Sequence, residues 1–297
     1  MQLFWALHNY FLPGNESEAQ WLERAARPQN SNAVAETAWL EGKRVGFLRL
    51  SPERAKYREA RLGVLPEARG RGVGAALWNR MESHARQLEV PRLMTSMQNP
   101  DASATRFLEV RGFQVQEVSI RSHLGLPVTL DMTILRTLET QGYLFFTLLK
   151  AGNTPENREK LYGLVRQSVE DDPGFQGEFE TLEEFSARIW DVYWKDAGSI
   201  FIAQHSEEWV ALAGFHPQEN LEFAPTTLTG VARAHRGRGL AQALKVLVIL
   251  EAMKLGYGRM HTANDSRNAA MLGINQKLGF QQVGSFTWFE RVSDPRA

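Results

Sequence analysis

The feature that most constrains the fold is a long internal repeat. Arg-Gly-Arg-Gly occurs at residues 69–72 and again at residues 236–239, and we call the step from residue 69 to residue 236 the repeat offset. Gly-Phe occurs at residues 112–113 and again, one repeat offset later, at residues 279–280. Aligned at this offset without a gap, residues 62–113 and 229–280 are identical at 15 of 52 positions. A period this long indicates a duplicated domain, because solenoid repeats are about 20–50 residues long.

The length and composition agree with two ordinary globular domains. The chain has 297 residues, and about 150 residues is a usual domain size. We place the boundary near residue 140, which gives domains 1–140 and 141–297. The 34 basic and 34 acidic residues balance, which excludes a global electrostatic attraction to nucleic acid or to an anionic membrane. The chain has no cysteine, which excludes disulfides, thiolate nucleophiles and cysteine-ligated metals.

No segment of the sequence indicates a membrane protein or a metal site. There is no apolar run of about 18 residues, and the residues after Met1 lack the basic start of a signal peptide. The seven histidines do not show the His-x-x-x-His spacing of metal ligands. We therefore expect a cytoplasmic monomer or homodimer without a metal.

Hydrophobic periodicity and turn residues predict the same element order in both copies. For copy one they predict a helix over 16–26, a hairpin over 35–50, strands over 58–65 and 93–97, and a helix of about 16 residues from Val73. For copy two they predict helices over 155–169, 181–191 and 240–254, a hairpin over 199–215, and strands over 224–231 and 283–289. Between the copies they predict a helix over 127–141 and a strand over 142–150. The fold class is therefore α/β, with a mixed sheet flanked by helices.

The repeated segment is a glycine-rich turn between a strand and a helix. Glycines let the backbone turn sharply and let a ligand come close to the main chain. The first turn of a helix has unpaired N–H groups and about half a positive charge. Together these features can hold a diphosphate. A P-loop is excluded because Gly-Lys-Ser/Thr is absent, and copy two lacks the last glycine of a dinucleotide-binding motif.

The pattern Arg-x-x-Gly-x-Gly/Ala, after a strand carrying Val64 or Val231 and before a helix that ends in Gly-Phe, resembles the GNAT superfamily of N-acetyltransferases. The resemblance covers nearly the whole chain and is to two-domain members. It implies two tandem GNAT-like domains, each a splayed mixed β-sheet flanked by helices. It also implies that acetyl-CoA lies between the splayed strands, with the backbone N–H of Val64 or Val231 as oxyanion donor.

The resemblance implies cofactor-binding residues in both copies. In copy one these are Val64, Arg69, Gly70, Arg71, Gly72, Val73 and Gly74. In copy two they are Val231, Arg236, Gly237, Arg238, Gly239, Leu240, Ala241, Asn264 and Asn268. In family members, an asparagine eleven residues before the glycine of Gly-Phe holds the cofactor. That position is Asn268 in copy two but Asp101 in copy one. Because an acidic group is unfavourable beside an anionic cofactor, we expect the C-terminal domain to be catalytic and the N-terminal domain to be degenerate.

The residues that act as general acid and general base in the family are absent from the matching positions of this chain. The usual general acid is a tyrosine four residues before that glycine, where this chain has Leu108 and Asn275. Some members use a glutamate six residues before the valine as the base, where this chain has Arg58 and Pro225. The remaining candidates for the base lie between the second and third strands of copy two, and they are Glu222, Glu219 and His216.

These observations predict an acetyl-CoA-dependent N-acetyltransferase that acetylates a primary amine of a small molecule or peptide directly. The missing tyrosines and the unassigned base leave an alternative, an acyl-CoA-binding sensor or scaffold without chemistry. A third hypothesis, nucleic-acid binding through the Arg-Gly-Arg-Gly turns, lacks net basic charge and interleaved aromatic residues. We therefore expect an amine partner, and neither nucleic acid nor membrane.

Overall fold

The chain divides into two compact units, each with its own core. The structure, a computed structural model, describes residues 33–52, 57–175, 178–218 and 222–292. Unit 1 comprises residues 1–118 and 286–297, and unit 2 comprises residues 119–285. The chain therefore passes from unit 1 to unit 2 and back, whereas the sequence boundary near residue 140 divides it once. The helix predicted over residues 16–26 lies outside the described residues.

The described part of unit 1 is a mixed sheet with two helices. Its elements are β1 (Val34–Leu40), β2 (Lys43–Leu50), β3 (Arg58–Val64), α1 (Val73–Gln87), β4 (Arg92–Gln98), α2 (Ala102–Glu109), the start of β5 (Gln114–Gly125) and the end of β12 (Gln281–Val292). The strands β1, β2 and β3 are antiparallel neighbours, β4 is parallel to β3, and β12 is antiparallel to β4. The core contains Leu48, Leu77, Met81, Leu93 and Phe289.

Unit 2 contains two separate strand groups. Its elements are the end of β5, α3 (Thr133–Thr140), β6 (Leu144–Thr147), α4 (Leu148–Ala151), α5 (Pro155–Glu170), α6 (Leu182–Glu184), α7 (Trp190–Lys195), β7 (Ile200–His205), β8 (Glu208–Gly214), β9 (Phe223–Pro225), β10 (Gly230–Val231), α8 (Leu240–Lys254), β11 (Arg259–Asp265), α9 (Ala269–Lys277) and the start of β12. One group has the antiparallel order β10-β8-β7-β6. In the other, β11 pairs with β5 on one side and with β9 on the other. No helix of the described residues is long and apolar enough to cross a membrane.

The structural elements recur at the repeat offset seen in the sequence. The helix α8 begins and ends one repeat offset after α1, and the same step relates β11 to β4 and β12 to β5. The short 3₁₀ turns at Pro66–Ala68 and Arg233–His235 are related in the same way. The predicted duplication of one fold is thus confirmed. Two residues separated by the repeat offset are called counterparts below.

The last strand of each copy lies partly in the other unit. Residues Phe286–Val292 of β12 pair with Arg92–Gln98 of β4 in unit 1. In unit 2, residues Ser119–Gly125 of β5 pair with Arg259–Asp265 of β11. Every residue pair of one register is the counterpart of a pair in the other. Each sequence copy therefore gives the second half of its last strand to the sheet of the other.

Three predicted elements differ from the structure. The helix predicted over 127–141 occupies only Thr133–Thr140 and begins after Asp131, whose carboxylate accepts a hydrogen bond of 2.8 Å from the Thr133 N–H. The strand predicted over 142–150 ends at Thr147, where the side chain of Thr147 caps α4. The strand predicted over 224–231 is divided into β9 and β10, which pair with different neighbours. Thr181 and Glu184 form a capping box at the start of α6.

Gly230 lies where α5 packs closely on β10. A Cβ atom at Gly230 would lie 1.8 Å from the Oγ and 2.5 Å from the Cβ of Ser168. The Ser168 hydroxyl is itself fixed by a 2.7 Å hydrogen bond to the Leu164 carbonyl. We expect Gly230→Ala to lower the free energy of unfolding by about 1–3 kcal/mol because the added methyl group overpacks this contact.

Gly273→Ala is the matched control for this prediction. A Cβ atom at Gly273, inside α9, would have no atom within 4 Å. We expect this substitution to raise the free energy of unfolding by about 0.4–1 kcal/mol, because alanine restricts the unfolded chain more than glycine does. Urea unfolding of both variants measures the difference. An equal response of the two variants would contradict the packing argument.

Candidate functional site

In both units a central strand separates from its parallel neighbour. In unit 1, β3 pairs with β2 over residues 60–64 but with β4 only at Arg58 and Glu59. In unit 2, β9 pairs with β11, whereas β10, five residues later, pairs with β8. A gap therefore opens beside Val64 in unit 1 and beside Val231 in unit 2, which confirms the expected splayed sheet.

The backbone of both valines faces this gap. The Leu65 N–H donates to the Val45 carbonyl at 2.8 Å, and the Ala232 N–H donates to the Val210 carbonyl at 2.8 Å. Because successive peptide groups of a strand point to opposite sides, the N–H and carbonyl of Val64 and Val231 point away from the paired strand. This direction is the one that an oxyanion donor in the gap requires, so the predicted role of the two valines is compatible with the geometry.

The glycine turns leave the first helical turn open to an anion. Gly72 and Gly239 are the N-cap residues of α1 and α8, with φ of 81° and 88°. This left-handed conformation favours glycine, and neither N-cap has a side chain to bond the following N–H groups. These N–H groups are the kind that bind phosphate oxygens. Gly237 lies beside them in open space.

The first arginine of each motif is a structural link within the turn. The Arg69 Nε donates to the Val64 carbonyl at 3.1 Å, and the Arg236 Nε donates to the Val231 carbonyl at 3.0 Å. Each arginine thus ties the turn to the last residue of the splayed strand. Sequence reasoning missed this role, because it treated both arginines only as added positive charge.

In unit 1 the gap widens into a cavity of about 510 Å³, a usual size for a ligand site. Five predicted residues line it, namely Val64, Arg69, Gly70, Gly72 and Gly74. Apolar side chains also line it, namely Met97, Trp78, Met81, Leu108 and Phe113. The other two predicted residues lie elsewhere, because Arg71 pairs with Glu41 and Val73 is part of the core.

Three of the five corresponding positions in unit 2 are polar. Lys245, Asn264 and Asn275 are the counterparts of Trp78, Met97 and Leu108. Asn275 is 2% exposed, and its Nδ2 donates to the Asn264 Oδ1 at 2.7 Å. The Asn275 Oδ1 and the Thr227 Oγ1 are buried without a hydrogen-bond partner among the described residues. Buried polar atoms without partners are rare, so these positions suit contact with a ligand that carries polar groups.

The glycine turn of unit 2 is more covered than that of unit 1. A Cβ atom at Gly239 would lie 2.7 Å from the Ile134 Cδ1, whereas one at Gly72 would have no atom within 4 Å. Arg238 donates to the Tyr143 hydroxyl at 3.3 Å. Of the following residues, Leu240 is buried in the core and Ala241 is half-buried. A second cavity of about 520 Å³, lined by Leu135, Phe145 and Leu247 among others, includes none of the predicted residues.

Asp171 also restricts the arginines of unit 2. Its carboxylate binds both Arg233 and Arg236. Hydrogen bonds from Arg233, and then from Arg236, hold the pKa of Asp171 below its usual value. An anion that binds at this turn therefore meets arginines that are already paired.

Asn268 and Asp101 have the same structural role. The Asn268 Oδ1 accepts a hydrogen bond of 3.1 Å from the Met271 N–H and caps α9. The Asp101 Oδ1 accepts one of 2.7 Å from the Ala104 N–H and caps α2. Both side chains are thus committed to helix caps, and cofactor binding by Asn268 stays a prediction.

Of the candidate bases among the described residues, His216 is the one held by hydrogen bonds to other residues. Its Nδ1 makes a hydrogen bond to the Oδ2 of Asp196, which is 8% exposed. Its backbone N–H donates to the Pro225 carbonyl at 3.0 Å. Glu222 is exposed ahead of β9, and Glu219 lies outside the described residues. Sequence reasoning missed Asp196, because nothing in the pattern links it to a histidine so far along the chain.

A comparison with family models settles the resemblance. The model of the Acetyltransferase (GNAT) family matches residues 1–113 and 165–280. The chain belongs to the GNAT family. This membership supports acyl-CoA-dependent acetyl transfer as its general activity. The two matched regions agree with the duplicated fold. No curated protein matches the sequence.

Solved structures of GNAT proteins share this architecture. A GCN5-related N-acetyltransferase from Sphaerobacter thermophilus is 17% identical and superposes with a TM-score of 0.71, covering 98% of this chain and 90% of its own. A tandem GNAT protein from the clavulanic acid biosynthesis pathway is 18% identical with a TM-score of 0.62, covering 90% and 85%. At these identities the similarity concerns the fold alone.

Proposed function

We propose that this GNAT protein transfers the acetyl group of acetyl-CoA to a primary amine of a small molecule or peptide. Unit 2 is the catalytic unit, and unit 1 binds acyl-CoA without turnover. The observation that carries the proposal is the His216–Asp196 pair beside Pro225. Pro225 is the position where the family resemblance places a glutamate base, so His216 supplies a base next to the position that lost one.

The residues of unit 2 divide the work of acetyl transfer. The acyl donor supplies a thioester carbonyl, and the N–H groups after Gly239 bind its diphosphate. The Val231 N–H stabilises the carbonyl oxygen as it gains negative charge. The Asp196 carboxylate accepts a hydrogen bond from the His216 Nδ1–H, so the Nε2 of that ring has a free lone pair. The Nε2 takes the proton that the attacking amine loses.

Unit 1 has a cavity that can hold the acyl donor, but the residues at the position of the base differ from those of unit 2. Arg58 stands at the position of Pro225, is 4% exposed, and donates to the Ser51 carbonyl at 3.0 Å. The neighbouring Glu59 carboxylate is paired with Arg61 at 2.7 Å. A cationic residue and a paired carboxylate are poor proton acceptors, which supports binding without turnover in unit 1.

The alternative is a sensor that binds acyl-CoA and performs no chemistry. The open cavity of unit 1 and the covered turn of unit 2 favour it. The two proposals differ in thiol release when acetyl-CoA is incubated with a library of primary amines. Amine-dependent release of free thiol supports the transferase. Tight acetyl-CoA binding without release from any amine supports the sensor.

Gly74→Leu separates the roles of the two units. Gly74 is the second residue of α1, and a Cβ there would lie 3.4 Å from Phe107 and 3.8 Å from Val64, so a leucine side chain would fill the cavity. In this variant we expect the affinity of unit 1 for acetyl-CoA to fall at least about tenfold, which corresponds to about 1.4 kcal/mol of binding free energy. Calorimetric titration then shows one binding site in place of two, while kcat is unchanged.

The control for this experiment is Gly163→Leu on the exposed surface of α5, where a Cβ would have no atom within 4 Å. We expect it to keep both binding sites and the wild-type kcat. A loss of kcat in Gly74→Leu, with the control unaffected, would move the catalytic centre to unit 1.

A further inference from the structure

We propose that Lys245 is the proton donor for the leaving thiolate in unit 2. The inference rests on the proposed acetyl transfer, in which the sulfur of the donor must take up a proton when the thioester is cleaved. Family members usually have a tyrosine for this purpose, and this chain has Asn275 at the same position. Lys245 is a buried titratable group of unit 2 for which the rest of the mechanism has no use.

The location of Lys245 follows from the duplicated fold. It lies in the second turn of α8 and is the counterpart of Trp78 in α1. Trp78 lines the cavity of unit 1 and packs edge-to-face on Phe113, with 5.6 Å between ring centroids. The Lys245 Nζ lies 5.4 Å from the ring of Phe280, the counterpart of Phe113. The same contact in both units gives Lys245 the position in unit 2 that Trp78 has in the cavity wall of unit 1.

The ammonium group of Lys245 is buried without a carboxylate partner in the part of the chain that the structure describes, which is unusual. Lys245 is 4% exposed, and no charged partner among the described residues acts on its ammonium group. Burial of an unpaired cation is costly, and apolar residues would pack the same space better. Asn275, whose Oδ1 is buried without a partner among the described residues, is the counterpart of Leu108, which lines the cavity of unit 1 together with Trp78. Two polar groups thus replace two apolar ones where the fold holds the donor.

Burial also gives Lys245 a suitable acidity. It lowers the pKa of Lys245 to about 8, and no charged side chain on α3, β7, β8, β10 or the rest of the described chain contributes to the shift. An unperturbed thiol has a pKa of about 8.5. Proton transfer is most efficient between groups of similar pKa near the working pH.

With Lys245 as the donor, every proton and every bond of the reaction is accounted for. The amine nitrogen forms a bond to the carbonyl carbon, and the bond from that carbon to sulfur breaks. The His216 Nε2 takes the proton that the nitrogen loses, and the Lys245 Nζ gives one proton to the sulfur. The products are an amide and a free thiol. One proton then returns from His216 to Lys245 through solvent, which restores both groups.

The test compares wild type with Lys245→Met, both carrying Gly74→Leu so that unit 1 does not bind. Methionine is apolar and of similar length, so the variant should fold. Coenzyme A is titrated with base, and the ultraviolet absorbance of its thiolate reports the pKa of the bound thiol. We expect this pKa to be at least about one unit higher in Lys245→Met, a tenfold change in acidity. Lys254→Met, which replaces an exposed lysine of the same helix, should not change it.

Kinetics and a charge-conserving variant complete the test. We expect Lys245→Met to lower kcat by about 10²-fold. Lys245→Arg should restore the thiol pKa but not kcat, because arginine does not release its proton. An unchanged thiol pKa in Lys245→Met would overturn the role of Lys245. Amine-dependent acetyl transfer that still requires His216 would show that the proposed function survives that result.

Discussion

His216→Ala is expected to lower kcat by about 10²–10⁴-fold and to leave the affinity for acetyl-CoA unchanged. In the proposed mechanism the histidine takes the proton of the attacking amine, so its loss affects the chemical step. Its backbone is bonded to Pro225, and it is not part of the glycine turn that is proposed to bind the diphosphate. Steady-state kinetics with the best amine measures kcat, and calorimetry with acetyl-CoA measures the affinity.

Asp196→Asn tests the partner of the histidine. A neutral amide holds the Nδ1–H of His216 less strongly than the buried carboxylate does, and it can present its own N–H instead. We expect a loss of kcat smaller than that of His216→Ala, with the same Michaelis constant for acetyl-CoA. The combined variant should be no slower than His216→Ala alone, because the two residues act as one unit.

His84→Ala is the matched control for these variants. The His84 Nε2 contacts the Glu36 carboxylate at 2.5 Å, so unit 1 also contains a histidine–carboxylate pair. Neither residue lines the cavity of unit 1. We expect the wild-type kcat for this variant. A wild-type kcat in His216→Ala would exclude the histidine as the base and leave the sensor as the better proposal.

Lys245→Met is expected to raise the free energy of unfolding by up to about 3 kcal/mol near pH 7, because one pKa unit corresponds to about 1.4 kcal/mol. Burial lowers the pKa of Lys245 from 10.5 to about 8. Below pH 8 the folded protein carries the full cost of the buried charge. Between pH 8 and 10.5 only the unfolded chain still binds this proton, so wild-type stability rises through that window.

The pH dependence distinguishes this cost from ordinary packing. The stability difference between Lys245→Met and wild type should shrink as the pH rises from about 8 towards 10.5. Urea unfolding at several pH values measures it. Lys254→Met, whose side chain is 73% exposed, should differ little from wild type at every pH. A difference that does not vary with pH would contradict the buried charge at Lys245.

Local chemistry made much of the fold predictable from the sequence. Gly239 in the left-handed conformation fixes where α8 begins, and the predicted bounds of that helix agree with the structure. Because the two copies are related by the repeat offset, an element predicted in one copy also predicts its counterpart in the other. The exchange of strands was not predictable, because β5 and β12 are equivalent in the repeat. Either strand can pair with β4 or with β11, and the pattern does not choose between them.

The site was only partly predictable for a related reason. The glycine turns and the direction of Val64 and Val231 follow from the motif and from strand alternation. Asp196 depends on the end of α7 meeting the end of β8, a tertiary contact without a local signal. Lys245 is hidden between Leu244 and Val246, so its burial is evident only once the helix is packed.

The exchanged strands also determine when each unit can be completed on the ribosome. Unit 2 has all its residues as soon as Ser285 has been made, whereas unit 1 needs Phe286–Val292, which are made after the whole of unit 2. At about 5–20 residues per second, translation from residue 118 to residue 292 takes roughly 9–35 s. Throughout that time β4 lacks its antiparallel neighbour, and an open strand edge attracts other chains. The N-terminal copy is thus begun first and finished last.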